Sequence, residues 1–375
     1  MPPQVPVPCV ILRGGTSKGV FFAESDLPAD AARRDRLIQA VMGSGDPRQI
    51  DGLGGADHLT SKIAIIGPGA AYGADVTYTF GQVGIDQPYV SYSGNCGNLS
   101  AAVGVYAIEA GHVAPREPVT TVRIYSTNAR QMLLAHVPVA EGRPQVEGDY
   151  AIAGVPGTGA EIRMDYSGTQ GATTGRVLPT GNPRDELYVA GLGRKVAISI
   201  VDVAKATCYF HAAEVGLRGN ETPEAFTPEV LARCWSIRDA AAEAIGLRPE
   251  DRLPLPVAVA APMDSIDFTT GRTVAAVEMS FCARRVVGPP PKLHKAFAST
   301  GAVCTAAAAF IPGTVVHEVC TPPTDHVVRI GHPSGVFPVR LVMNPDGGLA
   351  EASYSRTARR LMEGTVYVPA SVLGE

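Results

Sequence analysis

Two stretches of this chain constrain its fold more than any others. Each is a polar turn carrying glycine that runs directly into a segment of small apolar residues with almost no polar face. In the first, Ser93-Gly-Asn-Cys-Gly-Asn98 leads into residues 99–110; in the second, Thr300-Gly-Ala-Val-Cys-Thr305 leads into residues 306–310. A helix that is apolar on nearly every side has to be buried. A chain of 375 residues is too long for one typical core and suits two. The expected division is residues 1–183 and 184–375, at the breaker cluster Leu178-Pro-Thr-Gly-Asn-Pro183.

The order of elements supports that division. Residues 7–12 and 20–23 read as strands flanking a glycine turn, followed by a helix that Asp26 caps and Pro28 opens, ending near Val41. Residues 61–66, 75–83 and 89–92 read as further strands, and 120–176 as strands joined by turns. After the breakers, a strand over 196–203, an aromatic strand end over 208–210 and a helix from Glu221 to about Ile245 repeat the opening order. Matched order in two halves is what a duplicated architecture leaves behind. The match sets Thr300 opposite Cys96.

Composition fixes the class and removes several functions. With 41 Gly and 31 Pro against 6% aromatic residues, many short strands and turns are expected, hence a β-rich α+β protein. A net charge of −4 gives no electrostatic case for nucleic acid. No apolar run approaches the roughly 20 residues that span a bilayer, so no membrane partner is expected. The seven cysteines are scattered, odd in number and never spaced C-x-x-C, which suggests neither disulfides nor zinc. A reduced, cytoplasmic setting follows as the expectation, and a homo-oligomer is left open.

The chemistry-bearing residues gather at the glycine turns. A buried helix that starts at a polar turn aims backbone N–H groups and its positive end at an anion. Cys96 stands at such a start, where the thiolate form of a cysteine is favoured. Lys62 enters the apolar run 63–66, and a lysine there has to be paired, reach water or give up its charge and become a base. The hairpin tip Arg13-Gly-Gly-Thr-Ser-Lys18 offers N–H groups, hydroxyls and an ammonium to a carboxylate, without the spacing of a Walker loop. Lys292, His294 and Lys295, the turn Gly331-His-Pro-Ser-Gly335, and Arg356, Arg359 and Arg360 supply polar and cationic groups late in the chain. Asp51 and Asp57 read as turn-forming residues.

These motifs carry a resemblance. Leu12-Arg-Gly-Gly-Thr-Ser-Lys-Gly-Val-Phe-Phe22, Gln49-Ile-Asp-Gly-Leu-Gly-Gly-Ala-Asp57 with Thr60-Ser-Lys62, residues 93–104, Leu293-His-Lys295 through Cys304, and Gly331-His-Pro-Ser-Gly335 resemble the 2-methylaconitate cis-trans isomerase and 4-oxalomesaconate tautomerase family. The resemblance implies a diaminopimelate-epimerase-like fold: two similar domains, each a curled, barrel-like antiparallel sheet around a central helix, with the active site in the interdomain cleft. It implies Lys62 and Cys96 as the acid/base pair, without fixing which is which, and no cofactor or metal. The expected substrate holders are Arg13, Gly15, Thr16, Ser17, Lys18, Asn95, Gly97, Asn98, Lys292, Thr300, Gly301, His332 and Ser334. The implied reaction is a 1,3-proton shift that moves a double bond in a small unsaturated di- or tricarboxylate. Residues 48–51 and 55–62 favour 4-oxalomesaconate, from aromatic-acid breakdown, over 2-methylaconitate. An amino-acid racemase, which would need a second cysteine placed like Cys96, and a non-catalytic carboxylate-binding protein are the competing readings.

Overall fold

The structure, a computed structural model, describes residues 3–93, 95–248, 251, 253–288, 290–320, 323–345 and 348–373; Gly94, within the first polar turn, lies outside them. The chain forms two compact units, Met1–Met164 with Ser355–Glu375, and Asp165–Tyr354.

The first unit opens with β1 (Gln4–Gly14) and β2 (Ser17–Ala23), an antiparallel hairpin in which Gly14 faces Ser17. Helix α1 (Ala31–Met42) follows, then β3 (Lys62–Pro68) parallel to β2, and β4 (Val76–Val83) antiparallel to β3. Helix α2 (Gly97–Glu109) leads to β5 (Val119–Ser126), parallel to β4, and β6 (Gln131–Ala140), antiparallel to β5.

The second unit repeats this order. An antiparallel hairpin of β7 (Arg194–Val203) and β8 (Lys205–His211) precedes α3 (Pro228–Ala244). Strand β9 (Leu255–Ala260) is parallel to β8, and β10 (Phe281–Val287) is antiparallel to β9. Helix α4 (Ser299–Phe310) then leads to β11 (Val327–His332), parallel to β10, and β12 (Gly335–Met343), antiparallel to β11. The duplicated order read from the sequence is therefore present as matched strand pairing. Each unit mixes antiparallel pairs with two parallel ones, because a helix that crosses over between neighbouring strands returns the chain in the same direction. The sheets curl without closing into barrels.

The last long strand, β13 (Ala358–Pro369), runs antiparallel along β1 from Gly14↔Ala358 to Gln4↔Pro369. That pairing returns the C-terminal residues to the first unit, so the units differ from the expected 1–183 and 184–375. Two helix starts also differ from expectation. Asp30, not Asp26, caps α1, accepting a 2.8 Å hydrogen bond from the Arg33 backbone N–H, while residues 24–26 form a separate 3-10 turn. Helix α3 begins at Pro228 behind a Thr227 cap, not at Glu221, because residues 223–225 close a 3-10 turn of their own.

Helices on both faces explain why the strands read as unbroken apolar runs. In the first unit, Phe22, Ile63 and Ile65 join Leu37, Ile38 and Val41 of α1 in one core cluster. Phe21, on the opposite face of β2, stacks on Tyr106 of α2 at 5.8 Å. Strand neighbours point to opposite faces, so a strand covered on both sides has no polar alternation to show. Small residues let α2 sit close to its strands: a Cβ on Gly104 would lie 2.8 Å from Val137 Cγ2 and 2.9 Å from Ala135 Cβ. Gly104→Val is expected to destabilise the protein by about 2 kcal/mol through overpacking, read as a lower midpoint in urea unfolding with unchanged slope.

Candidate active site

The first unit brings Lys62, Cys96 and Ser17 together. Lys62 is the first residue of β3, Ser17 the first of β2, and Cys96 the N-cap residue of α2. Lys62 Nζ donates to Ser17 Oγ at 3.0 Å and lies 3.5 Å from Cys96 Sγ, which is 3.8 Å from Ser17 Oγ. All three are buried, with relative exposures of 6% for Lys62, 7% for Cys96 and 1% for Ser17. The Phe80 ring centroid lies 5.8 Å from the ammonium. The lysine nitrogen is thus bordered by a hydroxyl, a thiol and an aromatic face, none of them a fixed anion.

Local hydrogen bonds position these groups. Buried Gln49 spans the glycine-rich loop, donating to Ser61 Oγ at 2.8 Å and accepting from the Ala56 N–H at 2.8 Å. Ser61 in turn donates to Val83 O at 3.0 Å, which fixes the residue before Lys62. Asp57 accepts from the Leu59 N–H at 2.7 Å, the turn-closing role read for it. The Cys96 carbonyl accepts from the Tyr78 hydroxyl at 3.3 Å and from the Ser100 hydroxyl at 3.0 Å.

Around this trio, Asn98 donates to Thr16 Oγ1 at 3.0 Å and accepts from Arg356 Nε at 2.8 Å, linking the start of α2 to the hairpin tip and to the residues just before β13. Arg13 donates to Gly15 O at 3.0 Å and Thr357 O at 2.9 Å, so its guanidinium braces the tip. Burial and neighbouring Arg359 lower the Arg13 pKa below its usual value. Lys18 follows Ser17 on β2 and so points to the opposite face, where Gly55 is its neighbour. Gly97 is buried in the first turn of α2. Asn95 is different: both polar atoms of its amide are buried and have no partner among the described residues. A buried amide in that state costs on the order of 1–3 kcal/mol unless something hydrogen-bonds to it.

The second unit groups the remaining expected residues. Thr300 and Gly301 lie in the first turn of α4, whose N-cap is Ala298. Aligned by sequence or by cap, Cys96 is therefore matched by Thr300 or by Ala298, and by a thiol in neither case. His332 ends β11 beside Phe297 and Phe337, with ring centroids 6.4 and 6.5 Å away, and its Nδ1 accepts from the Ser334 N–H at 3.2 Å. Ser334 Oγ donates to Lys295 O. Lys292 is exposed on a short strand beside β10.

Sequence reasoning missed Tyr78 and Phe80, which look like ordinary strand residues in β4. Among the described residues no set of three His, Cys, Asp or Glu side chains is placed to hold a metal ion, and no helix is long and apolar enough to cross a membrane.

Residues 4–369 match the family model described as PrpF protein. The chain is 46% identical to 3-methylitaconate isomerase of Eubacterium barkeri, with 98% of each chain covered. It is 40% identical to (4E)-oxalomesaconate Delta-isomerase of Novosphingobium sp. (96% of this chain, 97% of the relative). It is 39% identical to 2-methyl-aconitate isomerase of Shewanella oneidensis, with 98% of each covered. A crystal structure of methylitaconate-delta-isomerase superposes with a TM-score of 0.86 at 45% identity, covering 99% of this chain and 97% of that one. A hydroxyproline epimerase from Agrobacterium vitis shares the fold alone, with a TM-score of 0.56 at 10% identity over 99% and 94% of the two chains. The α+β fold is thus the epimerase-like one that the motifs implied. A family match running nearly end to end, and relatives named as isomerases across the same span, establish that this chain is an isomerase belonging to the PrpF protein family.

Proposed function

We propose that this isomerase moves a double bond in a small, branched, unsaturated di- or tricarboxylate by a 1,3-proton shift, with Lys62 and Cys96 as the acid/base pair. The single observation that carries the reading is the 3.5 Å separation of Lys62 Nζ and Cys96 Sγ beside the start of α2. Two proton-transfer groups this close reach a substrate from the same side. One removes the allylic proton and the other returns a proton to the far carbon, so the shift is suprafacial. The intermediate is a dienolate, whose charge is stabilised by N–H groups at the helix start and by the unpartnered Asn95 amide. No electrons are gained or lost overall, so the reaction requires no redox cofactor. A racemase using one thiol from each half is disfavoured, since α4 begins without a cysteine at the matched position.

For the substrate, 3-methylitaconate takes first place, because the relative named for it is 46% identical against 40% and 39% for the other two. The loop residues that favoured 4-oxalomesaconate serve the fold here: Gln49 and Asp57 brace their own loop, and Arg48 is exposed. Following the vinyl and methyl protons by NMR with 3-methylitaconate, 4-oxalomesaconate and 2-methylaconitate in parallel tests this. The highest kcat/KM is expected for 3-methylitaconate. Turnover of none of the three, with proton exchange at the α-carbon of an amino acid instead, would overturn the reading.

A further inference from the structure

Strand β4 changes neighbour along the edge that faces away from β3. Val76, Thr77 and Tyr78 pair with β5, whereas Gln82 and Val83 pair with the two-residue strand Val90–Ser91. Phe80, 4% exposed, lies in the gap between these partners. Buried backbone groups left open at such a gap are costly. A side chain fills it. Asn128, half-buried in the turn between β5 and β6, accepts from the Phe80 N–H at 2.7 Å and donates to Phe80 O at 2.9 Å. Its second amide hydrogen goes to Tyr92 O at 2.8 Å. The turn is itself tied to β4: the Thr127 N–H donates to Tyr78 O at 3.0 Å, and the Thr127 hydroxyl lies 2.6 Å from that of Thr79.

The two segments that Asn128 joins are those flanking the proton-transfer pair. The Phe80 ring faces the Lys62 ammonium at 5.8 Å, and Tyr78, on the same face of β4, donates to Cys96 O at 3.3 Å. Tyr92 immediately precedes the polar turn, residues 93–98, that carries Cys96. One amide therefore couples the aromatic wall beside Lys62 to the chain that presents Cys96. None of its three bonds involves the side chain of either residue, so its action on them is indirect.

We propose that Asn128 is a positioning residue for the isomerisation, holding Lys62 and Cys96 in mutual alignment through the backbones of Phe80 and Tyr92. The role rests on the proposed function of that pair. Groups that act in turn at two carbons of one substrate depend on alignment, and a misplacement of about 1 Å can cost on the order of 10²-fold in rate. With the tie broken, a dienolate forms beside a proton-returning group that is out of line. It then takes a solvent-derived proton back at the original carbon more often.

Turnover of 3-methylitaconate in deuterated water, followed by proton NMR, tests this through the ratio of labelled recovered substrate to product. Asn128→Asp keeps the shape and the bond from the Phe80 N–H but sets a carboxylate oxygen against the carbonyls of Phe80 and Tyr92. It is expected to lower kcat by about tenfold or more with KM within about twofold, and to raise the ratio by about threefold or more over the wild type. A purely structural role would reduce the amount of folded enzyme and leave the ratio unchanged, because the ratio does not depend on enzyme concentration. Asn128→Ala, which leaves a space that water can enter, carries the same expectation and decides the matter if Asn128→Asp fails to fold. An unchanged ratio in the folded variant overturns the proposal, whatever happens to its melting temperature. Cys96→Ala, run beside it, separates the two failures. Product formed by Cys96→Ala at the wild-type rate defeats the acid/base reading, whereas a slow Cys96→Ala with an unchanged ratio in the Asn128 variants defeats the positioning role alone.

Discussion

Lys62→Ala is expected to lower kcat by about 10³-fold, within the range of a lost general acid or base, while the protein remains folded. The nitrogen removed is the one that contacts Ser17 Oγ at 3.0 Å and Cys96 Sγ at 3.5 Å. Neither neighbour replaces it, because a serine hydroxyl is a poor base and the thiol belongs to the second transfer. Stability should hold, since a buried ammonium without a fixed anion adds little to the folded state that alanine would forfeit. Lys62→Arg makes the test specific. It keeps the positive charge but not the ability to accept a proton, as a guanidinium stays protonated throughout the working range. If Lys62 served only as a charge for binding, Lys62→Arg would keep most of kcat; as a base, it should be nearly as inactive as Lys62→Ala. Steady-state kinetics beside thermal melts of both variants separate these outcomes.

Cys96→Ala carries the second large effect, a fall in the isomerisation rate of about 10²-fold. Cys96 has an extended backbone, with φ −124° and ψ 96°, which alanine adopts readily, and its carbonyl contacts to Tyr78 and Ser100 do not involve the side chain. The variant therefore isolates the sulfur. If Lys62 abstracts the proton and Cys96 supplies the one that is returned, Cys96→Ala should still form the dienolate. Substrate recovered from deuterated water would then carry label well ahead of product formation. With the roles reversed, neither label nor product would form at an appreciable rate. The partition between exchange and isomerisation thus assigns acid and base, which residue types alone leave open.

What could be read from the sequence follows physical range. The two buried helices were legible because an apolar surface with no polar face permits one environment, and the repeat because matched elements recur in order. Lys62, Cys96 and Ser17 were legible because each breaks a local pattern: a cation entering an apolar strand, a thiol in a polar turn, a hydroxyl at a glycine tip. The cap of α1 was misplaced because Asp26 and Asp30 both suit such a position, and the choice lies in backbone geometry at Arg33. The pairing of β13 with β1 joins residues more than 300 positions apart, and no local pattern encodes it.

Deuterium incorporation during a limited turnover of 3-methylitaconate, read by proton NMR with wild type and Lys62→Ala at equal concentration in deuterated water, tests the central claim most directly. The wild type should place label in the product, at the carbon that receives the returned proton, and Lys62→Ala should form no labelled product over the same period. Labelled product forming at the wild-type rate in Lys62→Ala would contradict the assignment of this lysine to proton transfer.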